Sequence, residues 1–212
     1  MRKILIGSAI AAAMLSQQTL AAGTDSGTAI TNTATATYSV GSVAASVDTN
    51  VTIYVDEKID ISGSSVDAAT IPTPDAEMVT THTLTNIGNG PEEFNINIAD
   101  SAWSSVLYLE TGTTPGFDAT DVIYTTQDWA KDAVKTIYAV TTIPSNAVDT
   151  DSSTIVLTAV SKTVYGTDYT TVTAAGTKID NVGTNNIDAT LVDAIVGTNS
   201  SRYTSSKTIT VQ

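Results

Sequence analysis

Few residues in this chain can do chemistry. It has one histidine, His82, and no cysteine, against 22 acidic residues. Thiol nucleophiles and thiolate metal sites are excluded, as are centres built on several histidines. His82 lies in "TTHTLTN", where period-two alternation puts it on the same strand face as Met78 and Leu84. That is the setting of a packed or edge histidine. A Ser-His-Asp triad also needs a nucleophile on a strained turn and an oriented acid, and no G-x-S-x-G is present. Glu92-Glu93 offers two acids, as a glycosidase requires, but neighbours on a strand point to opposite faces, and surface acidity is the plainer reading. The loop "LETGTTPGFDATD" gathers Glu110, Asp118 and Asp121 in one turn region. Calcium takes several such oxygens. Threonine fills most of the remaining positions, so a solvated loop with turn-capping aspartates competes with a Ca²⁺ site. "DTD" at 149–151 and "DE" at 56–57 are weaker candidates. Trp103, Trp129, Tyr108, Tyr138 and Phe117 could line a sugar platform, yet their scatter among predicted core strands favours packing. Sequons stand at 50–52 and 199–201. No enzyme activity is expected, and no cofactor beyond that calcium.

The elements carrying these residues begin with an export leader. Arg2 and Lys3 precede an apolar run, Ile4 to Leu15, and "QQTLAAG" offers small residues for cleavage after Ala21 or Ala22. The run is shorter than the ~20 residues of a membrane span. A Sec-type signal peptide over 1–22 and a secreted product are expected. Of nine basic residues, Arg2 and Lys3 leave with the leader. Seven then face 22 acidic ones, a net charge of −15. Such a surface excludes nucleic acid and anionic membranes as partners and leaves divalent cations possible.

Beyond the leader, β-branched residues dominate the periodic segments. In 28–40 the even positions carry Ile30, Ala34, Ala36, Tyr38 and Val40, and the odd ones are mostly threonine. In 43–55 the odd positions carry Val43, Ala45, Val47, Val51, Ile53 and Val55. Gly41-Ser42 between them suits a hairpin turn with glycine first. Further strands are predicted at 58–62, 77–86, 92–99, 104–110, 121–126, 133–143, 153–165, 169–174 and 203–211. Short helices are candidates at 128–134 and 186–196. Many short strands with Gly/Pro/Asn breaks imply an all-β fold, an antiparallel sandwich or barrel. A single domain over 43–212 is expected, with 175–200 as an elaborated edge and 23–42 as an extended N-terminal strand.

Three stretches carry a resemblance: "TTHTLTNIGNGPEEFNI" at 80–96, "VLYLETGTTPGFDATDVIYTT" at 106–126 and "VKTIYAVTTIPSNAVDTDSSTIVLTAVS" at 134–161. They resemble the conserved repeat domain of bacterial and archaeal cell-surface proteins, which implies an immunoglobulin-like sandwich, with a jelly-roll-like variant as the alternative. That module usually occurs in tandem within very long proteins, whereas here there is one copy. In overall plan the chain is similar to camelysin/TasA-type biofilm subunits and donor-strand pilins.

The first strand then has two readings: an ordinary paired strand, or one donated to a neighbouring subunit. Residues 24–55 contain no Lys, Arg or Pro to guard an edge. Under donation, Thr28, Ile30, Asn32, Ala34, Ala36, Tyr38 and Val40 form the inserted face, and head-to-tail donation builds a fibre. A secreted, self-assembling structural subunit is the leading expectation. A monomeric adhesive or carbohydrate-binding module is the alternative.

Overall fold

The computed structural model describes residues 23–67, 72–183, 192–197 and 201–212. The leader expected at 1–22, the sequon residue Asn199 and residues 184–191 of the elaborated segment lie outside them. The described chain is all-β with one helical turn. Its elements are β1 (Ala29–Val40), β2 (Val43–Tyr54), β3 (Glu57–Ile59), β4 (Ile61–Asp67), β5 (Glu77–Asn86), β6 (Glu92–Asp100), β7 (Ser104–Leu109), β8 (Val122–Ile123), β9 (Gln127–Trp129), β10 (Val134–Thr142), β11 (Ser152–Ser161), α1 (Lys162–Tyr165), β12 (Lys178–Gly183), β13 (Val192–Val196) and β14 (Arg202–Thr210).

Two sheets form the sandwich. One has five strands in the order β4-β5-β10-β7-β8 and the other has four in the order β14-β11-β6-β9, all antiparallel. Alternation decides which side chains enter. On β5, Met78, Thr80, His82, Leu84 and Asn86 are buried while the residues between them are not. Across the sheet, His82 pairs with Ile137, which pairs with Leu109. Ile61, Leu84, Phe94, Leu107, Leu109, Trp129, Ile137, Ala139, Leu157 and Ala159 make the main core. A second cluster at one end joins Met78, Ile143, Ala147, Ile155, Ile209 and Val211, with Trp103 packed on it. His82 is one of the packed residues, edge-on to Tyr203 at 6.4 Å. A third sheet, β12-β13-β3, is small, with β13 parallel to β3.

Several expectations need correcting. The strand expected over 153–165 stops at Ser161, whose hydroxyl accepts from the Val164 amide at 3.1 Å and caps the single turn α1. No strand forms at 169–174. There Asp168 Oδ1 accepts from the Thr170 amide and hydroxyl at 2.8 and 2.7 Å, an Asx-type turn that competes with sheet pairing. The helix at 128–134 is instead the end of β9, a turn with Asp132 at φ +61° and the start of β10. The described part of 186–196 is the strand β13. The boundary at 42/43 falls in a hairpin turn, so β2 belongs with β1 and not with the sandwich.

Glu92 is a further correction, because it is buried and Glu93 is not. Ser161 Oγ and the Thr163 amide donate to Glu92 Oε1 at 2.7 and 3.0 Å, and Thr163 Oγ1 donates to Oε2 at 2.8 Å. Glu93, on the opposite face, pairs with Lys162. Burial holds the Glu92 carboxyl above its ordinary value, opposed only in part by these donors. A carboxyl raised on folding binds more protons in the native state than in the unfolded one. Its contribution is therefore largest at low pH and is lost as pH rises from about 4.5 through the raised value. Urea unfolding at stepped pH should show Glu92→Gln with a flatter profile than the parent across that window.

Candidate functional site

The feature that the sandwich does not explain is its arm. β1 and β2 form a two-stranded sheet of their own, paired over 12 residues from Ala29↔Tyr54 to Val40↔Val43. Gly41 turns it at φ +67°. Every residue of the two strands except Ala45 is exposed. Cross-strand partners share a face, so the ribbon has two unlike sides. One carries Ile30, Asn32, Ala34, Ala36, Tyr38 and Val40 from β1 with Val43, Ala45, Val47, Thr49, Val51 and Ile53 from β2. The other carries Thr31, Thr33, Thr35, Thr37 and Ser39 against Thr52, Asn50, Asp48, Ser46 and Ala44. A ladder of such pairs includes Thr31 and Thr52 hydroxyls at 3.0 Å. The apolar side faces solvent: Val40, Val43 and Val51 are 70, 68 and 62% exposed. Folding normally hides such a face.

The arm is mounted firmly. Gly27 N donates to Val55 O at 2.8 Å and Val55 N to Thr28 O at 3.0 Å, which closes the base of the ribbon. The mount is the loop after β5, "NIGNG". Asn89 Nδ2 donates to the carbonyls of Thr24 and Asp56 at 3.1 and 3.0 Å, and its Oδ1 accepts from Lys58 N at 2.6 Å. Asn89 O takes the Ser26 amide at 3.0 Å. Lys131 Nζ holds Gly23 O and Asp25 Oδ1, both at 2.7 Å. Asn86, fully buried, ties the loop to the body, donating to Gly90 O at 3.0 Å and Trp129 O at 3.1 Å. A Cβ on Gly90 would stand 2.5 Å from Ser26 Oγ, so that position needs glycine to let the base close. Asn89→Ala should cost about 1–3 kcal/mol through three lost bonds. Hydrogen exchange should quicken first at Gly27 and Val55, with the core amides little changed.

The outer face of the five-stranded sheet is the second unusual surface. Tyr138 and Val140 of β10 are 2 and 5% exposed, yet neither joins a core cluster. They alternate with inward Ile137 and Ala139 and so point outward. Register sets Val66, Thr81, Tyr138, Tyr108 and Ile123 in one row across all five strands, and Val79, Val140 and Val106 in the next. Phe117 leans over the row from the loop after β7, 4.9 Å from Tyr108 and 5.9 Å from Tyr138. A groove of about 480 Å³ opens between this loop and Val66, Thr81 and Thr136.

The predicted calcium loop forms the groove's rim. Glu110 Oε2 accepts from Tyr138 OH at 2.5 Å and Oε1 from the Gly112 amide at 2.7 Å. Asp118 Oδ1 accepts from the Thr120 amide and hydroxyl at 2.7 and 2.6 Å, bonds that lower its pKa. Asp121 caps the Thr111 and Asp118 amides at 3.1 and 2.9 Å. The three carboxylates therefore serve the loop itself. Among the described residues no three acidic or histidine side chains meet as a metal-holding group. Burial and the bond to Glu110 push the Tyr138 phenol up to about 12. Of the aromatics considered for a sugar platform, Trp129 is core and Trp103 packs on the second cluster, whereas Tyr108, Phe117 and Tyr138 do gather, on the outer face. Sequence alternation missed this because both faces of "TIYAVTTI" read as apolar, and the register with β7 was needed to bring the rings together.

Among the described residues no helix is long and apolar enough to cross a membrane. No family model matches the chain, and no curated protein or solved structure does so either.

Proposed function

We propose that this protein is a secreted structural subunit that assembles with copies of itself into an extracellular filament or matrix fibre, using its N-terminal β-arm as the joining element. One observation carries the reading: a hairpin of two 12-residue strands whose apolar face is left in solvent, mounted rigidly on the body. Isolated two-stranded ribbons are marginal in water and gain from a third strand or a covering layer. The donor is best taken as a ribbon. β1 alone, the donor expected from sequence, is fully paired with β2. In this reading Ile30, Asn32, Ala34, Ala36, Tyr38 and Val40 form the contact face, joined by the valines of β2, and Thr28 lies at the base. The strand order supports an immunoglobulin-like reading of the body: β4-β5-β10-β7 opposite β14-β11-β6 repeats the ABED and GFC orders of that sandwich. Electron microscopy of the purified chain freed of its leader tests the proposal. Fibres are expected, and a protein that stays monomeric at every concentration would refute it.

The groove beside Tyr138, with threonine hydroxyls, Glu110 and an aromatic wall, favours one second reading, a carbohydrate-binding surface module. A glycan-array signal from a strictly monomeric protein would promote it.

A further inference from the structure

A second surface of this chain matches the arm's apolar face in chemistry. In a protein of net charge −15 after loss of its leader, two sets of strand positions carry almost no charge. One is the apolar face of the arm, whose single acid, Asp48, is on the opposite side against Thr35. The other is the outer face of the five-stranded sheet, where Glu77, at the end of β5, is the one charged side chain among the outward strand positions. Val66, Ile123 and Val106 stand 68, 63 and 40% exposed there. Outer faces of antiparallel sheets are ordinarily polar, giving strands that alternate inside and outside. This face keeps serine and threonine at many positions but breaks that rule along two rows, one with Val66, Tyr138, Tyr108 and Ile123 and the next with Val79, Val140 and Val106.

We propose that the arm of one copy lies, apolar side down, on the outer face of the five-stranded sheet of the next copy, so that the chain polymerises head to tail. The proposal rests on the self-assembly reading and names its missing half. Sheets stack face to face about 10 Å apart, with side chains interdigitating. The arm offers a trough of small residues, Ala34 and Ala36, between larger ones, Ile30 and Tyr38. The outer face offers a ridge, Tyr108 and Phe117, between valines. The strand positions that meet are nearly uncharged, and the one carboxylate at the rim, Glu110, already accepts from Tyr138 OH and the Gly112 amide, so two acidic bodies join without stripping an unpaired carboxylate of water. A basic or anionic partner gains nothing from either surface. At roughly 3.4 Å per residue and 4.8 Å per strand the arm covers about 400 Å², or some 800 Å² over both partners. Stable interfaces bury about 1,200–2,000 Å². The contact is therefore weak singly, and assembly must depend on concentration. Arm and acceptor are different patches, so the contact is heterologous and does not close.

Two variants separate this geometry from its rivals. Val47→Glu with Val51→Glu charges the arm, and Val106→Glu with Ile123→Glu charges the acceptor. All four positions are exposed, so unchanged urea midpoints should certify both folds. Each variant should assemble only at roughly hundredfold higher concentration than the parent. Mixed one to one, they should form dimers and stop, because one intact arm meets one intact acceptor. Light scattering after size exclusion reads the mass. An acceptor variant that polymerises like the parent overturns the proposal and leaves self-assembly standing, with arm-to-arm pairing as its route. A mixture that gives no dimer also overturns it. A parent chain that never assembles overturns both.

Discussion

Replacing residues 29–54 with an Asn-Gly turn is expected to give a folded monomer that makes no fibres. The base of the ribbon allows the splice. Thr28 and Val55 are already cross-strand partners, with Val55 N bonded to Thr28 O at 3.0 Å, and Asn-Gly is the preferred two-residue hairpin loop. The body loses no core with the arm, since Ala45 alone of the arm's strand residues is not exposed and neither core cluster includes a residue of β1 or β2. Its unfolding midpoint in urea should match the parent's. Assembly, read by electron microscopy and light scattering, should vanish at all concentrations. Fibres from the spliced chain would mean that some other surface joins the subunits.

Trp129→Ala is expected to have the largest effect on stability. Trp129 is fully buried and packs edge-on against Phe94, ring centres 5.2 Å apart, in the main core. It rides on β9, a strand of three residues paired only with the start of β6. Truncating a buried tryptophan costs about 3–5 kcal/mol. Whole domains have about 5–15 kcal/mol. β9 has little else to hold it, so the loss should fall at the upper end. Urea unfolding measures it, and Trp129→Phe should recover most of it. The neighbouring loop "NIGNG" is fastened to Trp129 O by Asn86, so the arm's mount should loosen in the same variant, visible as faster exchange at Gly27.

Much of the fold was legible because it depends on periodicity. β5 lies where 77–86 was read, β7 and β10 within a residue or two, and the turn at Gly41-Ser42 is where the glycine pointed. What could not be read is where a face looks. The alternation of β1 and β2 shows that Val47, Val51 and Ile53 share a side, and says nothing of whether that side meets a core or water. Their register in a separate sheet answers it. The same limit hid Tyr108, Phe117 and Tyr138, each ordinary core material by type, and made Glu92 look like surface charge when the donors from Ser161 and Thr163 bury it. At 169–174 the threonines promised a strand, but Asp168 bonds the same backbone locally.

The role of the arm's apolar face can be read with a single thiol, because the chain has no cysteine of its own. Ala34→Cys places one on that face and Thr33→Cys places one on the threonine side of the same strand. Alkylation rates compared between dilute monomer and assembled material test the claim directly. In the assembled state the thiol at 34 should react about tenfold slower or less readily still, while the thiol at 33 keeps close to its monomer rate. Equal rates at both positions, unchanged by assembly, would contradict an arm that joins subunits through its apolar side.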